Sequence, residues 1–185
     1  GFDHPVQREL RTVVGDLLGV DLHRAPWGVD GCGIPTSAVP LRVAAEGARR
    51  WANPHDIQVP ERYRVPLDRV RSAAVRHPRL ISGAGFLDTD LIRGGDGAVV
   101  AKQGAEGLCL VGVPGFGIAV RTEDGDAAAR SGRVASVAVL AAIGARVASA
   151  SSLDSHRTVR LGDPRGGAAI ATVHPGASLT TLRVS

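Results

Sequence analysis

Lys102 is the only lysine among the 22 lysine and arginine residues of this 185-residue chain. Arginine stays protonated, whereas a lysine amine loses its proton more readily when it is desolvated or lies beside another cation. Lys102 ends an apolar run and opens a turn, in Val99-Val100-Ala101-Lys102-Gln103-Gly104. This order of strand, lysine and turn favours an amine that exchanges protons in a site. The alternative is a solvated lysine at a strand end.

A second candidate region is the Gly- and Pro-rich segment 20–39, which contains Asp30, Cys32 and Gly33. We expect a loop with one short strand here, and irregular backbone of this length is usually functional. Cys32 is either a thiol that lines a pocket or an inert buried residue. A cysteine hydrolase that pairs Cys32 with a histidine such as His77 is an alternative, although no local signature supports it.

The composition argues against nucleic acid and membrane partners. The net charge is +4, but the arginines are dispersed among acidic residues, and only 3% of the residues are aromatic, which leaves few rings for base stacking. No apolar stretch reaches the ~18 uncharged residues that a membrane span needs. The two cysteines, Cys32 and Cys109, indicate reduced thiols in the cytoplasm.

The elements that must position these residues change type near Gly97. Helical periodicity precedes it, whereas short apolar runs separated by Gly-rich turns follow it. The predicted helices are Pro5–Leu18, Leu41–Trp51, Pro66–Arg76, a short one capped by Asp88 or Asp90, and Ala127–Val147; the predicted strands are Ala98–Lys102, Gly107–Val113 and Gly117–Thr122. The pattern predicts a single domain over 1–185 of the α/β (α+β) class, with an antiparallel sheet and flanking helices. Residues 148–185 are expected to be irregular, with one or two edge strands.

Five sequence blocks in order resemble the asparaginase II family, the bacterial group similar to the Rhizobium asparaginase. The blocks lie between His4 and Ala145, and residues 148–185 match the family poorly. They are Val29-Asp30-Gly31-Cys32-Gly33-Ile34-Pro35, the run from His77 to Gly85 with Asp88-Thr89-Asp90-Leu91, the run from Ala101 to Gly107, Gly117-Ile118-Ala119-Val120, and Glu123-Asp124-Gly125.

The resemblance implies a serine beta-lactamase/glutaminase-like fold and hydrolysis of L-asparagine to L-aspartate and ammonia. It implies a serine nucleophile in a Ser-x-x-Lys motif, a second serine, and the lysine of a Lys-x-Gly strand. Of these, Lys102 alone carries over, because Val99 stands where the serine of Ser-x-x-Lys would be. We expect Asp30, Cys32, Gly33, Gly83, Gly104 and Glu106 to bind the substrate. Glu106 either meets the α-amino group of the substrate or is a plain carboxylate of the turn.

The family resemblance also implies zinc bound by two cysteines and a lysine, which follows the first cysteine by three residues. Pro35 stands at that position here, so we expect no required cofactor and no metal ligands, and zinc remains the less favoured alternative. Cys109, inside an apolar run, is expected to be a small buried residue.

Because the chain contains no methionine, we expect that its start has been removed or that it is a piece of a longer protein lacking the N-terminal part of the family's fold. Two states follow as alternatives. The chain is a homodimer, or it pairs with the missing N-terminal part as half of a nicked enzyme; alone it is expected to be a non-catalytic fragment.

Overall fold

The central feature of the structure is a three-stranded antiparallel sheet with helices on both faces. The computed structural model describes residues 1–126, 130–162 and 169–180. The helices are α1 (Pro5–Leu18), α2 (Leu41–Ala52), α3 (Glu61–Arg76), α4 (Arg79–Ser82), α5 (Leu87–Gly94), α6 (Ser131–Ala142) and α7 (Ala177–Thr180). The strands are β1 (Trp27–Val29), β2 (Pro35–Ser37), β3 (Val100–Gln103), β4 (Leu108–Val113), β5 (Phe116–Arg121), β6 (Val159–Gly162) and β7 (Ala169–Val173).

The central sheet has the order β3-β4-β5 with every pair antiparallel, which confirms the predicted meander. Residues of alternating positions on the three strands, among them Ala101, Val111 and Ile118, join the buried core. The first turns of α5, the apolar side of α6 and the segment around Val147 complete this core. The period-two pattern of the strands therefore directs one face toward α5 and α6.

The other face of the sheet carries α2 in direct backbone contact. Gly112 and Gly117 lie opposite each other on β4 and β5. A Cβ atom on Gly112 would lie 2.1 Å from the carbonyl oxygen of Ala48, and one on Gly117 would lie 1.8 Å from that of Ala45. Only glycine leaves room for a helix this close to a sheet.

Three predicted helix boundaries were wrong. The last long helix begins at Ser131 rather than Ala127, and a proline and a glycine explain the other two. The third helix begins at Glu61 rather than Pro66, which lies inside it; the sequence pattern treated this proline as the first helical residue, its commonest place. The last long helix ends at Ala142 rather than Val147, because Gly144 adopts a left-handed φ of 70° that terminates helices. Residues 127–129 of that prediction lie outside the described residues.

The segment after α6 is partly regular. Two 3₁₀ helices, Arg146–Ser149 and Ser151–His156, lead into β6, and β6 pairs with β7 as a separate antiparallel ribbon. Two strands were within the prediction for 148–185, although they pair with each other rather than with the central sheet. Residues 163–168 and 181–185 lie outside the described residues.

The loop between α1 and α2 contains two strands where one was expected, and they form the hairpin β1-β2. In the described parts of the chain, no helix combines the length and the apolar character that crossing a bilayer requires. Helices combined with small antiparallel sheets are compatible with the predicted α/β class.

The contact between α2 and the sheet gives a stability prediction. Gly117→Ala should lower the free energy of unfolding by about 1–3 kcal/mol, because the added methyl group must push α2 away from β5. The measurement is the urea midpoint. Gly28→Ala is the control, since no atom lies within 4 Å of a Cβ placed there. Equal midpoints for the two variants would contradict the close contact.

Candidate active site

The cavity beside Lys102 lies at the end of β3 and has a volume of about 410 Å³. Its walls come from α4, the turn after β3, the start of β4 and the start of α6. The lining residues are Ser82, Phe86, Lys102, Gln103, Gly104, Ala105, Glu106, Gly107, Leu108, Cys109, Gly125, Asp126 and Gly132. The sequence therefore brings an amine, a hydroxyl and two carboxylates to one concave surface.

A second cavity of equal volume lies at the opposite end of β3, near the β4-β5 turn. Its walls are mainly apolar, with Asp96 and Arg146 among them. The described residues that line it include no hydroxyl, thiol, imidazole or amine side chain. A third cavity of equal volume, beside α1, contains Thr12 and His23 but none of the residues proposed from sequence. The cavity beside Lys102 is therefore the candidate site, because it combines Lys102, Gly104 and Glu106 with the Ser82 hydroxyl.

Lys102 is held at the cavity by two polar neighbours. Its side chain is 52% exposed, and its Nζ atom lies 3.9 Å from Oδ2 of Asp88. The same Nζ donates a hydrogen bond to the main-chain oxygen of Gln103. The amine is thus available from the cavity while a carboxylate faces it.

Asp88 is the polar centre beneath the lysine. Its side chain has no solvent exposure. Oδ2 accepts hydrogen bonds from the Ser82 hydroxyl at 2.5 Å and from the Gln103 main-chain N–H at 2.9 Å. Oδ1 is buried and has no hydrogen-bond partner within the described part of the chain. The sequence pattern assigned Asp88 to a helix cap, but α5 is capped by Phe86 and Asp88 instead joins α4, α5 and β3.

The turn after Lys102 has a strained backbone. Glu106 and Gly107 both adopt left-handed φ angles, 57° and 68°. The conformation is ordinary for glycine and unfavourable for glutamate, and such residues concentrate at functional sites. The turn is closed by a hydrogen bond from the Gly104 N–H to the main-chain oxygen of Leu108 at 2.8 Å. It sets the exposed Glu106 beside the same cavity as Lys102.

Asp126 lies on the opposite wall and caps α6. Its carboxylate accepts the main-chain N–H groups of Arg130, Ser131 and Gly132 at 2.7–3.1 Å. Burial raises the pKa of Asp126, but these N–H donors and the nearby Arg130 guanidinium outweigh burial and lower the pKa from its usual value. Asp126 therefore remains ionised and fixes the helix that closes the cavity.

The structure brings together only part of the residues proposed from sequence. Lys102, Gly104 and Glu106 line the cavity, whereas Asp30, Cys32, Gly33 and Gly83 are not among its lining residues. Gly83 directly follows Ser82, and its main-chain oxygen accepts the Thr89 hydroxyl at 2.5 Å. It therefore contributes to the turn that presents Ser82.

Asp30, Cys32 and Gly33 lie in the exposed turn of the β1-β2 hairpin. Oδ1 of Asp30 accepts the N–H groups of Cys32 and Ile34 at 2.9 and 2.8 Å, and Gly33 has a left-handed φ of 77°. These contacts are those of an Asx turn that closes a hairpin. Their role in the described structure is local.

The two cysteines do not fit the zinc site that the resemblance implies. Cys32 is exposed in the hairpin turn, whereas Cys109 is buried inside the central sheet, where burial raises the pKa of its thiol to about 11. A thiol that holds its proton is a poor metal ligand. Among the described residues, no group of three or more His, Cys, Asp or Glu side chains is arranged to hold a metal ion.

The comparison with protein families decides the relationship of this chain. The family model described as L-asparaginase II matches residues 1–168. The chain belongs to the asparaginase II family. The match continues beyond Ala145, where the sequence blocks of the resemblance end. A search of curated proteins finds no match.

Sequence reasoning missed several polar residues in and around this cavity, among them Ser82 and Asp126 in its lining and Asp88, which lies 3.9 Å from Lys102. Ser82 and Asp88 both lie within the blocks that carry the asparaginase II resemblance. Their contact, however, depends on a turn between α4 and α5 that brings residues six apart into hydrogen-bonding distance. The usable signal was the presence of Asp88 and Asp90 in a short helix whose Leu87, Leu91 and Ile92 indicate burial. A buried carboxylate requires a partner.

Asp126 gives a pH-dependent prediction for this asparaginase II chain. Since its pKa is lowered in the folded state, its contribution is complete above the unfolded pKa of about 3.9 and is lost as the pH falls through the folded pKa. Asp126→Asn should lower the free energy of unfolding by about 1 kcal/mol at pH 7. The difference from the unmodified protein should shrink below pH 4 in urea titrations.

Asp96→Asn is the matched control, because Asp96 is exposed and has the same left-handed φ of 47° as Asp126. An equal loss in both variants, or a loss for Asp126→Asn that does not change with pH, would contradict the capping role.

Proposed function

We propose that this chain supplies part of the active site of an L-asparaginase-type amidohydrolase that converts L-asparagine to L-aspartate and ammonia. The observation that carries the proposal is Lys102, the only lysine of a family member, at a cavity and 3.9 Å from a buried carboxylate. A fold of the serine beta-lactamase type is part of the proposal. The β3-β4-β5 meander, with Lys102 on its first strand and α6 after its last, supports it.

The proposed reaction uses a serine that lies outside these 185 residues. Lys102 is the only lysine and Val99 precedes it by three positions, so the chain holds no Ser-x-x-Lys. The serine oxygen attacks the side-chain carbonyl carbon of asparagine, and an amine takes the hydroxyl proton. That proton passes to the departing nitrogen, which leaves as ammonia, and water then hydrolyses the acyl intermediate to aspartate.

Substrate recognition is proposed for the turn after β3. The Glu106 carboxylate, at the rim of the cavity, has the charge to pair with the α-ammonium group of asparagine. Gly104 and Gly107 allow the substrate to approach the main chain closely. In the same way the Lys102 ammonium offers a partner for the substrate carboxylate when it is not exchanging a proton. No cofactor is required by this scheme.

The alternative that uses Cys32 has no supporting contact. Cys32 is exposed, and neither it nor His77 is among the residues that line the cavity beside Lys102. The cap of α3 is His77, as the sequence predicted. The two unpaired cysteines are compatible with a cytoplasmic enzyme, which we include in the proposal.

We also propose that the working enzyme contains a second chain, either another copy or the remaining part of the fold. Exposed apolar side chains support this: Val6, Leu10 and Val14 form one stripe along α1, and Trp27 and Val29 are exposed on the hairpin. The sequence also leads us to expect an uncovered sheet edge or apolar surface at the third strand and the long helix after it. Their faces pack against α2, β4 and each other, while β5 stays at the edge of the central sheet among the described strands, so a second chain would have this edge as well as α1 and the hairpin to cover.

The test of function is ammonia release from L-asparagine. Residues 1–185 alone should release none above background, because the nucleophile is absent. In the assembled enzyme that includes the serine, Lys102→Arg should lower kcat by ~100-fold or more, since arginine keeps the charge but accepts no proton.

Arg121→Lys is the control, because it exchanges the same two residue types at the end of β5, outside the lining of the cavity. Turnover by residues 1–185 alone would overturn the external serine and favour a nucleophile within these residues, either Ser82 in the cavity lining or Cys32. A near-normal kcat in Lys102→Arg would mean that Lys102 contributes only its positive charge and transfers no proton.

The assembly proposal predicts that purified residues 1–185 form a dimer at micromolar concentration, measured by light scattering. Leu10→Glu should shift the chain toward monomer, because a charge in the apolar stripe opposes burial. Glu9→Gln, one residue away on the same helix, is the control. A monomer with cooperative unfolding in the unmodified chain would contradict the second-chain requirement.

A further inference from the structure

Asp88 occupies a position that is costly for a carboxylate. Its side chain has no solvent exposure, and one of its oxygens, Oδ1, has no partner among the described residues. Burial of an ionised group is unfavourable by several kcal/mol unless opposite charge and hydrogen bonds compensate. The compensating groups are two donors to Oδ2 and the Lys102 ammonium.

These groups come from two segments: Ser82 ends α4, whereas Lys102 and Gln103 are neighbours on β3. The Ser82 hydroxyl holds Asp88 from the cavity side, while the Gln103 N–H ties it to the residue that follows Lys102. The Gln103 main-chain oxygen in turn accepts a hydrogen bond from Lys102 Nζ. Asp88 therefore holds the main chain of Gln103, and the Lys102 amine is hydrogen-bonded to that same residue.

We propose that Asp88 is the positioning residue of Lys102: its buried carboxylate orients the amine and stabilises its ammonium form after the amine has taken a proton. A base that is itself oriented by a third group is the arrangement that activated nucleophiles require. The carboxylate takes no proton; the proton moves from the nucleophile hydroxyl to Nζ and onward to the leaving nitrogen. The catalytic part of this role rests on the proposed function, whereas the pairing of Asp88 with Lys102 does not.

Other charged groups near Lys102 do not have this contact. Glu106 in the turn and Asp126 before α6 line the same cavity, but the ion pairs within the described part of the chain join Lys102 only to Asp88. Cys109 on β4 is a buried thiol that remains protonated. Asp90, on the same helix as Asp88, is paired with His156 at 2.9 Å.

The single lysine makes the test direct. When residues 1–185 are labelled with [¹³C]lysine, the Cε signal of Lys102 is the only side-chain lysine signal, and its pH titration can be followed by NMR. Asp88→Asn keeps the shape and an oxygen acceptor but removes the charge. The midpoint of the Lys102 titration should move to lower pH, because the ammonium form loses the carboxylate that lies 3.9 Å from it.

The matched control is Asp96→Asn, an exposed carboxylate at the opposite end of β3, which should leave the midpoint unchanged. In the assembled enzyme, Asp88→Asn should lower kcat by ~100-fold, with a smaller change in KM and a matching shift in the pH profile. An unchanged Lys102 midpoint in folded Asp88→Asn protein overturns the proposal, because a purely structural carboxylate would leave the amine unaffected.

A second variant covers the case in which Asp88→Asn does not fold. Lys102→Met should lower the melting temperature by about 3 °C at pH 7, because Asp88 loses its opposite charge. An unchanged melting temperature overturns the proposal.

The NMR experiment tests the pairing of Asp88 with Lys102, and the activity assay tests the hydrolysis of asparagine, so the two claims can fail separately. If the Lys102 titration midpoint shifts in Asp88→Asn but the enzyme does not hydrolyse asparagine, the Asp88–Lys102 pair is supported and asparagine is rejected as the substrate. Hydrolysis with an unshifted midpoint retains the function and rejects Asp88 as the positioning residue.

Discussion

The burial of the Asp88 carboxylate is the constraint on which the candidate site depends. A fully buried charge persists only where donors and an opposite charge surround it. Asp88 meets that condition where α4, α5 and β3 converge, through Ser82, Gln103 and Lys102. Because these contacts are short and directional, α5 cannot slide along β3 without exposing an unpaired charge. The junction of α4, α5 and β3 therefore holds the backbone of Lys102 in place at the cavity.

The rest of α5 explains why this junction is rigid. Leu87, Leu91 and Ile92 are almost completely buried in the core below the sheet. On the other side of the helix, Asp90 contacts the buried His156 at 2.9 Å, which ties α5 to the 3₁₀ segment Ser151–His156. Apolar packing thus sets the position of the helix, and polar contacts on both sides set its register.

The opposite face of the sheet is positioned by a different means. At Gly112 and Gly117, α2 reaches the backbone of β4 and β5, so this layer depends on the absence of side chains. The combination gives a sheet held closely on one face by helix backbone and on the other by a filled apolar core. The end of β3 remains free to form the cavity, and family membership makes amide hydrolysis the chemistry proposed for it.

The sequence by itself determined the local features: the lone lysine at a strand end, the β3-β4-β5 meander, the helices α1 and α2, and the asparaginase II blocks. These follow from periodicity, turn residues and residue type, which are properties of short segments. Tertiary structure alone decided that Asp88 lies 3.9 Å from Lys102 rather than at a helix cap, that Pro66 lies inside α3, and that Cys32 is not among the residues lining the cavity. The reason is physical, because the cost of burying a charge, and the partners that offset it, depend on which segments meet in space.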